Sequence, residues 1–178
     1  MLENYEKDKY GVIHQINSQP FTYDEDYIKR SYDPKLTQLM AYLRLGFLLA
    51  HITPHSLLDV GFGDAAFLRA AENIIPHCYG YDTFDNPYYR QAPLTDYYDV
   101  ITFFDSLEHF HQLPIHQLNT NYILISVPEC HYPSDQWFDK WKHRKPNEHL
   151  HHFSRTALKN LLAAHNYTLL TESNLEDT

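Results

Sequence analysis

A chain of 178 residues, 43% of them hydrophobic, carries enough apolar material for one ordinary domain core. Its formal net charge of -9, with histidine neutral, sets the surface as a whole against a phosphate backbone, so a nucleic-acid substrate is disfavoured. The longest early apolar run, Leu45 to Ala50, is far too short to span a bilayer, and no membrane partner is expected. The N-terminus is polar and acidic, which predicts no signal peptide. Cys78 and Cys130 fall in no paired motif, which favours a reducing, cytoplasmic setting. Tyrosine (15) and histidine (13) are abundant, a composition suited to stacking on and hydrogen-bonding a small organic molecule.

In chain order, residues 1–33 are polar and aromatic with little periodicity. They are read as an N-terminal arm or lid, in which Phe21 to Asp24 and Tyr27 to Tyr32 form a short helix or a lid-like arm. Residues 34–178 are read as one domain. Pro34 opens a helix whose Leu36, Leu39, Met40, Leu43 and Phe47 recur at spacings of three and four, predicting an inward face; Pro54 closes the segment. Strands are predicted at Ser56 to Val60, His77 to Asp82, Asp99 to Asp105, Tyr122 to Val127 and, last, Tyr167 to Thr171. Helices are predicted at Phe67 to Asn73, from Ser106, and at Arg155 to His165 behind a Ser154 N-cap. Thr83 to Tyr98 is too short for a full helix and strand. Residues 129–152, with both tryptophans, five histidines and the basic run Lys142 to Lys145, read as a substrate loop. The alternation of strands and helices predicts an α/β fold, a Rossmann-like, doubly wound and mostly parallel sheet with a reduced number of strands.

The chemistry concentrates at Leu57 to Ala66. An apolar strand breaks into Gly61 and Gly63, and a helix follows at once. Such a corner brings backbone close to a ligand. The absence of Gly-Lys-Ser or Gly-Lys-Thr excludes a phosphate loop, whereas Ala66 at the third-glycine position leaves a dinucleotide open. Asp82, ending the second strand, can accept hydrogen bonds from two ribose hydroxyls, a geometry that serves both NAD and S-adenosylmethionine.

The stretch Tyr98-Asp99-Val100-Ile101-Thr102-Phe103-Phe104-Asp105-Ser106-Leu107-Glu108-His109 resembles the fourth-strand motif of class I S-adenosylmethionine-dependent methyltransferases. Leu57 to Ala65 resembles their first motif, and Gly80-Tyr81-Asp82 their second. Trp141 to His143 and Lys145 to Ser154 resemble the late loop of one small methyltransferase-domain branch. The resemblance spans roughly residues 56 to 171 and departs from the family at Ala65, where a third glycine is usual. The compressed Thr83 to Tyr98 segment departs as well, and so does the expected lack of a final antiparallel strand, which would leave a sheet edge open to a second copy of the chain.

The resemblance implies S-adenosylmethionine as cofactor, with Gly61 and Gly63 beside its methionine part and Asp59 anchoring that end. It places Asp82 on the ribose, Phe84 over the adenine and Asp105 near the amino group. Transfer to a small-molecule O or N nucleophile needs a base of near-neutral pKa, and His109 and His149 are the candidates. The run His149, His151 and His152 with His143 lacks helical ligand spacing, so no metal is assigned. Asp85-Asn86-Pro87-Tyr88 is a chance likeness to a DNA amino-methyltransferase motif. The alternatives are a catalytically inactive methyltransferase-like binding or assembly module and, resting on the first motif alone, an NAD-binding oxidoreductase.

Overall fold

Strand pairing in the computed structural model gathers four strands into one parallel sheet: β3 (Ser56–Val60), β4 (His77–Tyr81), β5 (Tyr97–Phe104) and β6 (Asn119–Ser126). A second, antiparallel sheet holds β1 (Tyr5–Lys7), β2 (Ile13–Gln15) and the two-residue β7 (His151–His152). The structure describes residues 3–21, 33–83, 91–174 and 176. The Tyr27 to Tyr32 part of the expected helix or arm, and the 85–88 likeness, lie outside these residues. The chain forms two compact units from interleaved stretches. The first is Met1–Thr22, Asp105–His116 and Ser126–Glu172; the second is Tyr23–Phe104, Gln117–Ile125 and Ser173–Thr178.

In the second unit the strand order is β4-β3-β5-β6, the reduced parallel sheet the alternation predicts. Leu57, Leu58, Val60, Val100, Ile101 and Phe103 are buried, as a parallel sheet covered on both faces requires. Register places Asp59 opposite Gly80 on one side and opposite Thr102 on the other. β3 leads to β4 on one side and the chain then returns to β5 on its other side, so the strand order reverses at β3.

Helix α1 (Pro34–His51) starts where expected, behind Asp33, whose carboxylate accepts the Lys35 and Leu36 N–H groups at 2.9 and 3.2 Å. Its inward face is Ala41, Leu45 and Leu48, not the predicted set; Leu36 and Leu39 are each 58% exposed. The helix is apolar nearly all round, so spacing alone does not select the buried stripe. Packing selects it, because Ala41, Leu45 and Leu48 join Leu57, Phe67, Leu68 and Ile75 in one core. Helix α2 (Ala66–Ala71) is short and buries Phe67 and Leu68 there.

In the first unit, β2 pairs β1 through Tyr5 opposite Gln15 and pairs β7 through His14 opposite His151. Residues 129–152 contribute a short helix, α3 (Asp135–Lys140), capped by the Ser134 hydroxyl accepting the Trp137 N–H. Its Phe138 is fully buried and meets Tyr5 edge-on, ring centroids 5.0 Å apart, and His152 at the same separation. Much of this aromatic content is therefore core. Helix α4 (Arg155–Ala164) has the predicted Ser154 cap, accepting the Ala157 N–H at 3.1 Å. The strand predicted at Tyr167 to Thr171 does not form: the segment pairs with no strand among the described residues, and Leu169 and Leu170 remain exposed. Strand propensity without a partner edge makes no ladder. No helix among the described residues is long and apolar enough to cross a membrane.

Candidate functional site

The glycine corner belongs to the second unit. Gly61 and Gly63 have φ of +76° and +51°, in the left-handed region where a Cβ is strained, so glycine serves a geometric need at both. Gly61 donates its N–H to the Tyr81 carbonyl at 2.7 Å. Gly63 donates to Oδ2 of Asp82 at 2.9 Å. The turn after β3 is thus tied to the end of β4 through Tyr81 and Asp82. Gln91 completes the frame, accepting the Asp82 N–H at 2.9 Å and donating to the Asp82 carbonyl at 3.2 Å.

Ala65, where the family pattern has a third glycine, also sits at positive φ, +62°. Its methyl is fully buried, and its N–H donates to the Phe62 carbonyl at 2.8 Å. The turn therefore keeps the glycine-like backbone shape despite the side chain, with the strain held by packing. Phe62, between the two glycines, turns inward onto β4. A Cβ on Gly80 would come within 2.4 Å of its ring, so the bare backbone of Gly80 is what admits the ring.

Asp59 is 3% exposed at the end of β3, and its carboxylate accepts the Thr102 hydroxyl at 2.7 Å. Burial raises its pKa to about 7, against the lowering effects of Thr102 and Arg44 and with a further rise from Asp82. Thr102, one strand away, is a partner that sequence reading missed; only the β3–β5 register brings it there. Phe84, the adenine candidate, lies outside the described residues.

Asp105, His109 and His149 belong to the first unit. Asp105 follows β5 directly, is exposed and takes a φ of +51°, held by its N–H donating to the Ser126 carbonyl at 2.9 Å. A 3-10 turn over Leu107–His109 then buries Glu108. Two hydrogen bonds tie this turn to the late loop. The Leu150 N–H donates to the Glu108 carbonyl at 2.8 Å, and Nδ1 of His109 meets the Glu148 carbonyl at 2.9 Å. A carbonyl oxygen can only accept, so Nδ1 of His109 carries the proton and Nε2 presents its lone pair when the ring is neutral.

These ties bring His109 and His149 together, ring centroids 4.7 Å apart. Burial lowers the pKa of His109, and takes that of His149 to about 3 with help from the His109 and Lys145 charges. Beside the rings lies Glu108, a member that sequence reading left unassigned, with Oε1 3.9 Å from Nε2 of His109. Its carboxylate is 1% exposed, and neither oxygen has a hydrogen-bond partner among the described residues. Burial, together with the Asp105 charge, raises its pKa to about 8. The neighbouring basic run is largely spoken for, since Arg144 pairs with Asp139 at 2.8 Å and Lys145 with Glu148 at 2.9 Å.

No curated protein matches the chain. A family model described as a methyltransferase domain matches residues 29–172, about four fifths of the chain. That span takes in the whole parallel sheet, the glycine corner with its Asp82 partner, and the Glu108–His149 group. The match covers well over half of the chain, and the chain belongs to this methyltransferase-domain family.

Proposed function

We propose that the protein is an S-adenosylmethionine-dependent methyltransferase acting on an O or N nucleophile of a small molecule. The observation that carries this reading is the Asp82 carboxylate, held by the Gly63 N–H at the carboxyl end of β4, beside two glycines whose missing side chains leave the backbone bare. A carboxylate so placed suits a pair of vicinal ribose hydroxyls, and the bare turn suits close approach of the rest of the cofactor. The donor set therefore fits the group that the domain family typically uses.

When bound, the cofactor supplies the reactive methyl group on a positively charged sulfur. The protein's own part is to bind, orient and keep water out. Asp59, neutral or charged near pH 7 and tied to Thr102, holds the end of β3 in place under the turn. Substrate choice follows from the acidic balance of the chain, which opposes nucleic acid and leaves a small molecule.

Calorimetric titration with S-adenosylhomocysteine and, in parallel, NAD tests the reading. Saturable binding of the first alone supports it. Binding of NAD alone would replace it with an oxidoreductase, and binding of neither would remove the cofactor assignment. The four-stranded sheet favours one second reading, a module that binds cofactor or partner without turnover. Binding of S-adenosylhomocysteine without methyl transfer to any of a panel of hydroxyl and amine metabolites would favour that module.

A further inference from the structure

We propose that Glu108, His109 and His149 form a binding site for one divalent transition-metal ion. One nitrogen from each imidazole and one carboxylate oxygen lie within 4.8 Å of one another. Ligands of a tetrahedral ion at about 2.0–2.1 Å stand about 3.4 Å apart, so small side-chain rotations close the set.

The independent observation is the Glu108 carboxylate. It is 1% exposed, its two oxygens have no hydrogen-bond partner among the described residues, and it faces Nε2 of His109 at 3.9 Å. Leaving a carboxylate buried and unbonded is costly, and a bound cation is a standard remedy. His109 shows the second feature of a ligand. Its Nδ1 donates to the Glu148 carbonyl, which fixes the ring and turns the Nε2 lone pair toward the site.

The surrounding charge agrees. Asp105 and Glu148 bear on Glu108 as like charges, and Lys145, a cation that also acts on it, is held by Glu148 at 2.9 Å. Two nitrogen donors and one oxygen suit a borderline ion such as Zn2+, Co2+, Mn2+ or Fe2+ better than Mg2+ or Ca2+, which prefer all-oxygen sets. Three protein ligands leave a coordination position open, and an oxygen donor of a small molecule, or water, would occupy it.

The test uses the full chain, stripped with a chelator and titrated with Co2+ and Zn2+. The expected result is one equivalent of tightly bound ion, a Co2+ visible spectrum with nitrogen and oxygen ligation, and a rise in Tm. Glu108→Gln and His149→Ala should each weaken binding by at least about tenfold, since even outer partners of a metal site are worth that much. The exposed His131, replaced by Ala, should change nothing. If either ligand variant fails to fold, Mn2+ line broadening in the natural chain decides the matter, because the His109 and His149 ring signals must be the first to vanish. Absence of stoichiometric binding, affinity unchanged in folded Glu108→Gln, preference for Mg2+ over Zn2+, or broadening centred on other histidines would each overturn the site.

Discussion

The Asp82 carboxylate accepts the Gly63 N–H at 2.9 Å, so one side chain both braces the glycine turn and marks the end of the neighbouring strand. This double duty makes its replacements informative. Asp82→Ala removes a charged acceptor, and hydrogen bonds to charged groups are worth about 1.5–3 kcal/mol. Affinity for S-adenosylhomocysteine should fall by about ten- to a hundredfold. Asp82→Asn keeps an acceptor for Gly63 and should retain the turn while still losing part of the affinity. Equal affinities in all three proteins would remove Asp82 from the binding site.

Gly80 and Phe62 form a steric pair. A methyl at Gly80 would enter the Phe62 ring, so Gly80→Ala should destabilise the chain by about 1–3 kcal/mol, the usual cost of overpacking. Phe62→Leu opens space at that point, and the double variant should recover much of the loss. Urea unfolding of the four proteins gives the coupling directly. Additive effects would mean that the two residues do not compete for one space.

Asp59 sets a slope of stability with pH. Its folded pKa, about 7, lies above the ordinary 3.8, so between these values the folded chain keeps a proton that the unfolded chain has released. Stability from this group is full below the lower value and is lost as pH rises through the upper one, by at most about 1.4 kcal/mol per pH unit. Asp59→Asn, which keeps an acceptor for Thr102, should flatten that fall. Denaturant unfolding across the window checks it, and an unchanged slope in the variant would assign the fall to other groups.

His152 acts with the opposite sign. It is buried among Tyr5, Phe138 and Trp141, its Nε2 has no hydrogen-bond partner among the described residues, and burial takes its pKa from 6.5 to about 3. Here the unfolded chain binds the proton first. Stability is therefore full above 6.5 and falls on acidification toward about 3. His152→Phe, whatever it does to absolute stability, should reduce proton uptake on acid unfolding by about one. The unfolding midpoint followed in chelator-treated protein, natural chain against variant, measures this, and identical acid limbs would exclude His152 as a source.

Some elements were legible in the residues because the physics that makes them is local. A strand run, two glycines and a following helix occupy ten consecutive positions, and Ser154 caps α4 through a neighbour three residues on. Pro34 likewise marks the start of α1 by its own φ restriction. The buried face of α1 was not legible. Its apolar residues surround the axis, and the choice of Ala41, Leu45 and Leu48 over Leu36 and Leu39 belongs to the sheet beneath. Tyr167 to Thr171 failed for the same reason, since a strand needs an edge to pair with and nothing within the segment supplies one.

The glycine corner shows where the boundary lies. The residues alone determined a parallel α/β sheet, a bare turn after its first strand and an acid at the end of the next, because short-range spacing and backbone freedom dictate all three. Only the tertiary structure decided what the acids touch. Register puts Thr102 on Asp59 from 43 positions away, and a backbone bridge sets His149 against Glu108 and His109 across some forty. Burial and partner are properties of the folded environment, and the character of a carboxylate or an imidazole changes with both.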